Sequence, residues 1–301
     1  MKVTRMDLDG TGSPHGLVTK ILQAEPGLPI PVPIEELARQ LDIVEINELE
    51  TDGFEGGLLT DDCKSQGIIL VNGDARGGRR RFTIGHELAH FLIPTHKPVK
   101  EGKFLCSRDD MRRWSAREND SYARMEVEAN KFSALMLMPP PKLRPMIDRL
   151  GDPDLAHVVD VARHFDVSKD SAARAYAEHH DAQIGIAVVK DGVVLRIYRH
   201  IKFPKLGVSN GSRVPKASLY HHETARRHRP SDILENNAGL WLESDWGTPL
   251  PALYEQVFFQ QEGYALILLW PEFADQEEDE RDDDRTAKER LRDRKAAWLQ
   301  R

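Results

Sequence analysis

Two histidines and a glutamate within five residues are the part of the sequence best suited to chemistry. His86-Glu87-Leu88-Ala89-His90 follows the pattern H-E-x-x-H. On a helix, residues four apart lie on one face, so both imidazoles can bind one zinc ion at roughly 2.0–2.1 Å. Glu87 projects roughly 100° round the helix from His86, which suits contact with a water molecule on the metal rather than ligation. The pentapeptide therefore predicts a zinc hydrolase with Glu87 as general base.

Chance alone supplies this pentapeptide in some chains of this length, so it needs a helical setting and a third ligand. Apolar or small residues surround the histidines, and Pro94 ends the predicted helix. A dry metal site requires a buried helix of this kind. The apolar or small residues are Phe82, Ile84, Gly85, Leu88, Ala89 and Leu92.

A second helix is predicted over residues 121–138, before a run of three prolines. Glu126 and Glu128 are both candidate third ligands, and they face nearly opposite sides because they are two residues apart. Glu126 shares its face with small side chains such as Ser133, which allow close approach to the first helix. We therefore expect Glu126 to be the third ligand, with Glu128 as the alternative. Asn130, one turn beyond Glu126, is expected to contact a ligand from behind.

Three stretches of the sequence resemble the ImmA/IrrE family of bacterial and phage metallopeptidases, through its IrrE N-terminal-like domain. They are Arg81–His90, Glu126–Pro139 and the upstream Pro31–Ala38. The resemblance covers about residues 17–180, slightly over half of the chain.

The resemblance implies a gluzincin-like zinc endopeptidase. By position, His86, His90 and Glu126 would hold the zinc ion and Glu87 would activate water, with Mn²⁺ as another metal that can support activity. Characterised members cleave helix-turn-helix repressors and so switch on phage, mobile-element or stress-response genes. A regulatory enzyme is implied, whose partner is a protein substrate such as a helix-turn-helix repressor or antitoxin.

The segment Asp154–Tyr176 fits a helix-turn-helix-like extension. Asp166-Val167-Ser168 suits the turn, with Ser168 as N-cap of the second helix. DNA reading requires a basic second helix. Acidic residues outnumber basic ones here, so we expect a packing scaffold or protein-recognition surface and no direct DNA binding. The acidic residues are Asp152, Asp154, Asp160, Asp166, Asp170 and Glu178, and the basic ones are Arg163, Lys169 and Arg174.

The predicted fold class is α+β. A zincin-like metallopeptidase domain of helices and a small antiparallel sheet is expected over residues 1–150, and a helix-turn-helix-like segment over 151–180. A C-terminal antiparallel α+β domain follows over 181–273, and a charged tail over 274–301. The predicted C-terminal strands are Ile184–Val189, Val193–Tyr198, Gly239–Glu243, Ala252–Phe259 and Tyr264–Trp270.

In the N-terminal part, Gly53–Thr60 and Gly67–Asn72 are predicted to form an antiparallel pair. If one of these strands is a sheet edge, an extended peptide can add to it, while an ordinary hairpin is equally compatible. Residues 95–118 are predicted to form a loop or partly helical insertion, long enough for a lid or recognition loop. Cys106 within it can coordinate zinc in a latent form, although a free structural thiol is the commoner role.

Two basic stretches allow contact with phosphate, and the second also allows a further metal site. They are Arg79-Arg80-Arg81 and the run His221–Arg229. No ligand spacing recurs in the second stretch, and such clusters are more often solvated. We therefore favour solvated faces for both.

Composition limits the remaining classes. The chain has 301 residues, of which 40% are hydrophobic and 30% charged, as in a globular protein. No apolar run reaches the ~18 residues that span a membrane, and Met1–Asp7 lacks the apolar region of a secretion signal. Two cysteines fit a reducing cytoplasm, and the net charge of -7 disfavours general polyanion binding.

The leading hypothesis is therefore a cytoplasmic zinc endopeptidase. A non-proteolytic protein that binds a repressor or antitoxin through the same fold is the second, and a DNA-binding regulator the third. The intact Glu87 favours the enzyme, because binding alone has no need of a general base.

Overall fold

The computed structural model describes residues 1–50, 53–98, 103–117, 119–222, 229–244 and 249–273. The predicted charged tail lies outside the described residues, as does the centre of the histidine-rich run at 223–228. The described part of the chain contains seven α-helices. They are α1 Pro14–Ala24, α2 Ile34–Gln40, α3 Gly77–Leu92, α4 Ser121–Leu137, α5 Pro140–Leu150, α6 Leu155–Phe165 and α7 Lys169–His179.

Nine strands form two sheets in the same described ranges, which confirms the predicted α+β class. The first sheet has the order β1-β3-β2-β4 and the second β6-β5-β9-β8-β7. The strands are β1 Ile43–Leu49, β2 Gly56–Thr60, β3 Gly67–Asn72, β4 Lys103–Cys106, β5 Gly185–Lys190, β6 Val193–Arg199, β7 Leu234–Asn236, β8 Ala252–Phe259 and β9 Tyr264–Glu272.

The first sheet is mixed, so the prediction of a purely antiparallel N-terminal sheet is wrong. β2 pairs antiparallel with β3 as expected, but β1 lies parallel to β3. This is because the chain crosses from β1 to β2 and turns back into β3, which then lies between β1 and β2. Both strands of the predicted pair are interior, so neither offers an edge to a peptide.

The fourth strand of this sheet, β4, lies in the segment predicted as a loop or helical insertion. It pairs antiparallel with β2, with Gly56 opposite Cys106. Phe104 and Cys106 point into the protein while Lys103 and Leu105 are exposed. This alternation spans only four residues, which is too short to identify a strand from the sequence.

Helix α3 packs beside this sheet and closely against α4. A Cβ placed on Gly85 would stand 2.5 Å from Oγ of Ser133. The Ser133 hydroxyl donates to the carbonyl of Phe82 at 2.8 Å, which ties the two helices together. The small residues at this crossing bring the inward side chains of both helices within contact distance.

The helices α5 to α7 share a buried apolar cluster with one face of the second sheet, including Phe165, Tyr176 and Leu268. Asp166 has φ 52° in the turn between α6 and α7, and Ser168 Oγ accepts from the amide of Ser171 at 3.1 Å. Ser168 therefore caps α7 as expected. The helix-turn-helix assignment and the domain boundaries stay predictions.

The predicted strand Gly239–Glu243 is wrong. Residues Ala238–Leu240 form a 3-10 helix, capped by the Asn237 side chain, which accepts from the amide of Gly239. Trp241 then packs fully buried in the apolar cluster on the other face of the second sheet. In the part of the chain that the structure describes, the pairing of this segment is limited to one antiparallel bridge, between Leu242 and Leu206. Among the described residues, no helix has both the length and the apolar content needed to cross a membrane.

Candidate metal centre

Helix α3 directs His86, Glu87 and His90 into the protein interior. Each of the three side chains has 0% of its surface exposed. Nε2 of His86 lies 3.0 Å from Nε2 of His90, as expected for two imidazoles one turn apart. The apolar flanks predicted for this helix are buried around them, including Ile84 and Leu88.

Glu126 of α4 meets the two imidazoles. Its Oε2 lies 3.2 Å from Nε2 of His86, and its Oε1 lies 3.5 Å from Nε2 of His90. Ligands about 2.0–2.1 Å from a tetrahedral zinc ion lie roughly 3.3 Å from one another. The three groups therefore have the mutual spacing of zinc ligands.

Asn130 lies behind His86, where the sequence predicts a supporting contact. Its Nδ2 donates to the carbonyls of Asp110 at 2.8 Å and Arg113 at 2.7 Å. Its Oδ1 is thereby held as an acceptor, 2.9 Å from Nδ1 of His86. This network assigns the proton of His86 to Nδ1 and leaves the lone pair of Nε2 facing Glu126.

His96 plays the corresponding part for His90, and sequence reasoning missed it. Its Nδ1 lies 3.0 Å from Nδ1 of His90, and its Nε2 lies 2.9 Å from Oε2 of Glu128. The Glu128 carboxylate accepts only, so His96 donates from Nε2 and accepts from His90 at Nδ1. Glu128 thus lies outside the metal cluster but orients His90. The signal available in the sequence was a histidine six residues after the motif.

With these tautomers, the lone pairs of both histidine Nε2 atoms are directed towards the carboxylate of Glu126. When both imidazoles are neutral in these tautomers, Nε2 of His86 and Nε2 of His90 face each other and the Glu126 carboxylate, with no donor among them. Oε2 of Glu126 is buried without a hydrogen bond of normal geometry, despite its short distance to His86. A cation satisfies such a set of acceptors, so these residues fit a divalent metal.

The pKa shifts of the cluster residues also favour a bound cation. Burial lowers the pKa of His90 to about 4, which keeps this imidazole neutral. Burial opposes ionisation of Glu126, but contacts with His86 and His90 outweigh it and hold the pKa of Glu126 far below its usual range. Burial also disfavours charge on His86, while Glu126 and Glu87 raise its pKa above the usual value. Glu126 is therefore a carboxylate, and its negative charge favours a positive charge beside it.

Glu87 stands beside the cluster without joining it. Its Oε1 is buried and has no hydrogen-bond partner. Gly56 makes room for it, because a Cβ there would stand 2.6 Å from Oε1. Burial raises the pKa of Glu87 to about 8, since a lone carboxylate is poorly solvated there.

Cys106 of β4 is the fourth member of the cluster. Its Sγ lies 3.8 Å from Nε2 of His90 and 3.9 Å from Oε2 of Glu87. One donor atom from each of His86, His90, Cys106 and Glu126 lies within 4.8 Å of the others. Among the described residues, no other group of histidine, cysteine and acidic side chains has this arrangement.

The basic cluster at the start of α3 is ion-paired, so neither a solvated face nor a phosphate site describes it well. Arg79 pairs with the buried Glu55, and Arg80 pairs with Glu35. Arg81 donates to the carbonyl of Val32 at 2.9 Å and to that of Asp166 at 3.1 Å. These contacts fix the start of the motif helix.

A cavity of about 640 Å³ lies beside the cluster, between the start of α3, helix α7 and strand β6. Phe82 and Thr83 line one part of it, and Arg174 and Tyr198 another. Arg174 stacks over the ring of Trp114, with the guanidinium carbon 3.3 Å from the ring centre. None of the four cluster residues lines this cavity, so the candidate metal centre is closed off from it.

Residues 40–176 match the family model of the IrrE N-terminal-like domain. The radiation response metalloprotease IrrE of Deinococcus radiodurans is 29% identical over 126 residues, which cover 42% of this chain and 35% of that protein. The protein of the same name from Deinococcus deserti is 31% identical over 112 residues, covering 37% and 36% respectively. The chain thus spans about a third of the length of these curated relatives.

A solved structure of a Mycobacterium tuberculosis transcriptional regulator has a TM-score of 0.52 to this chain at 14% identity. The match covers 89% of this chain and 79% of that one, and it shows a shared fold. The family match confirms the resemblance recognised in the two motif helices: residues 40–176 are similar to the IrrE N-terminal-like domain.

Proposed function

We propose that this protein is a zinc-dependent endopeptidase. The observation that carries the proposal is the meeting of His86, His90 and Glu126, all acceptors, with the unpaired carboxylate oxygen of Glu87 beside them. The matched relatives are named metalloproteases, which supports the same activity here. In this proposal the first three residues are the ligands and Glu87 is the general base.

A zinc ion held by His86, His90 and Glu126 would supply a Lewis acid that polarises the scissile carbonyl and lowers the pKa of a water molecule. Glu87 accepts the proton of that water and passes it to the leaving amine. Burial raises the pKa of Glu87 to about 8, and a cation beside it would favour its ionised form. Asn130 and the pair His96–Glu128 keep both ligand imidazoles in the required tautomer.

We propose a regulatory role, with a helix-turn-helix repressor or antitoxin-type protein as substrate. This part rests on the family resemblance, and the relatives' printed names connect them with a radiation response. The free cysteines, one exposed and one buried, fit a cytoplasmic location. Direct DNA reading is disfavoured, because Arg174 of α7 is engaged with Trp114 and donates to Glu178 at 2.8 Å.

Metal analysis and cleavage together test the proposal. Wild-type protein should bind one zinc ion and, with zinc or manganese present, cleave a helix-turn-helix repressor taken from a neighbouring gene. Glu87→Gln should keep the metal and lose cleavage by a factor of at least about 10³, the scale of general-base catalysis combined with metal activation. His86→Ala should lose the metal.

Full cleavage by Glu87→Gln would refute the mechanism, and equal zinc content in His86→Ala would refute the ligand assignment. Tight repressor binding by wild type and Glu87→Gln alike, without cleavage by either, would support the non-proteolytic alternative instead.

A further inference from the structure

We infer that Cys106 is a fourth metal ligand, which closes the metal centre in a resting form of the protein. This inference rests on the proposed function, since it concerns the same metal. It goes further by assigning a role to a thiol that peptide hydrolysis does not need.

The first support is distance. A tetrahedral zinc ion with nitrogen at about 2.0–2.1 Å and sulfur at about 2.3 Å holds these two atoms roughly 3.5 Å apart. Sγ of Cys106 lies 3.8 Å from Nε2 of His90, within a few tenths of an ångström of that value. The second support is independent of the thiol: Oε2 of Glu126 is buried, unpartnered and part of the same cluster.

The position of the sulfur decides what this ligand would do. It lies within 4 Å of both a candidate ligand and the general base, 3.8 Å from Nε2 of His90 and 3.9 Å from Oε2 of Glu87. A water molecule shared by the metal and Glu87 must occupy this same region. Sites with four protein ligands are structural, whereas catalytic sites keep one position open. Ligation by Cys106 therefore excludes the water molecule that hydrolysis requires.

Burial of the whole cluster supports a closed form. His86, His90, Glu126 and Cys106 are each at most 3% exposed, so a peptide cannot reach them in this conformation. The ring of Phe104 stacks on His90 with the centroids 4.9 Å apart. Both inward side chains of β4 thus cover the site.

The backbone around Cys106 shows how the site would open. β4 is the edge strand of its sheet, four residues long, and pairs only with β2 among the described strands. The amide of Glu55 donates to the carbonyl of Cys106 at 3.0 Å, which sets the sulfur at the cluster. Short edge strands detach at lower free energy than interior ones. Displacement of β4 removes the sulfur and uncovers the open position in one movement.

The coordination chemistry is simple. The S–H bond of Cys106 breaks as the bond from sulfur to the metal forms, and the proton leaves to the nearby Glu87 or to solvent. Opening reverses this exchange: sulfur takes back a proton and water takes its place. No oxidant or reductant is involved.

Cobalt(II) substitution of the full chain tests the inference, because cobalt bound to a thiolate absorbs strongly in the near ultraviolet by charge transfer. The wild type loaded with one cobalt ion should show this band. Cys63→Ser is the matched control, since Cys63 is exposed and lies outside the cluster, and it should keep the band. Cys106→Ser and Cys106→Ala should bind cobalt without it. Zinc loss to a chromogenic chelator should be at least about tenfold faster in Cys106→Ala than in Cys63→Ser.

A wild-type protein that binds one cobalt ion without the thiolate band overturns the inference and leaves the metal centre of the proposed function intact. A wild type that binds no cobalt or zinc overturns both. The wild-type spectrum alone gives this decision if a Cys106 variant fails to fold.

Discussion

Oδ1 of Asn130 lies 2.9 Å from Nδ1 of His86, and both amide hydrogens of Asn130 are directed at backbone carbonyls. The amide can therefore present only its oxygen to the imidazole. Asn130 of α4 in this way sets the tautomer of His86, a candidate metal ligand on α3.

We predict that Asn130→Ala weakens zinc binding by about 10–100-fold, because His86 loses the acceptor that orients it. Competition with a chelator of known affinity measures the effect. Asn47→Ala, at an exposed asparagine of β1, is the control and should bind zinc like the wild type. An unchanged affinity in Asn130→Ala would show that packing alone orients His86.

Substitutions of the two glutamates of α4 should lower zinc affinity to different extents. Glu126→Gln removes a direct ligand and should abolish stoichiometric zinc binding. Glu128→Gln weakens only the support of His90 through His96, so we expect a loss of about 10–100-fold in affinity. Zinc titration of both variants checks this order, and the reverse order would make Glu128 the third ligand.

The crossing of α3 and α4 should tolerate no added methyl group. Gly85→Ala places a Cβ 2.5 Å from Oγ of Ser133. We expect overpacking of about 1–3 kcal/mol to exceed the gain in helix propensity of about 1 kcal/mol. Urea denaturation should therefore show a lower free energy of unfolding.

Two further variants make this packing test specific. Gly27→Ala is the control, because a Cβ there meets nothing within 4 Å. Ser133→Ala removes the clashing hydroxyl, so adding Gly85→Ala to it should destabilise the protein less than Gly85→Ala alone. Additive effects in this cycle would place the strain elsewhere.

Lys64 should make the free energy of unfolding depend on pH in the alkaline range. Its Nζ donates to the carbonyls of His90 at 2.6 Å and Ile93 at 2.9 Å, and burial lowers its pKa to about 8. The unfolded chain, with a lysine pKa near 10.5, binds more protons between these values. Stability contributed by this residue therefore rises as pH increases from about 8 to 10.5.

Denaturation at several pH values should show a smaller rise for Lys64→Met than for the wild type across that window. Lys190→Met serves as the control. The ammonium of Lys190 lies over the ring of Tyr264 in the second sheet, and Lys190 is more than a hundred residues from Lys64 in the sequence. Parallel pH profiles for the wild type and Lys64→Met would contradict the prediction.

Helical periodicity and one motif were enough to predict much of the candidate site. His86, Glu87 and His90 come from one helix, and the small residues on the face of Glu126 predicted which side of α4 would meet it. Local sequence carries this information, because spacing on a helix determines which side chains share a face.

The remaining members depend on tertiary contacts. Cys106 reaches the cluster only through pairing of a four-residue strand with β2, and His96 reaches His90 only because the chain turns back after α3. Trp241 shows the opposite error. Its apolar neighbours in the sequence predicted a strand, but it is buried in the apolar cluster against the second sheet. Such contacts join residues whose order along the chain gives no periodic pattern.

The donor atoms of the cluster come from three separate elements, α3, β4 and α4, so no short fragment of the chain contains them all. An unfolded chain therefore offers no such site, and a cation that binds the folded chain alone shifts the folding equilibrium. At a free concentration one hundred times its dissociation constant, the shift is about 2.7 kcal/mol. Cellular supply of the metal would then govern how long the protein survives proteolysis, and a chelator would act on it as a denaturant.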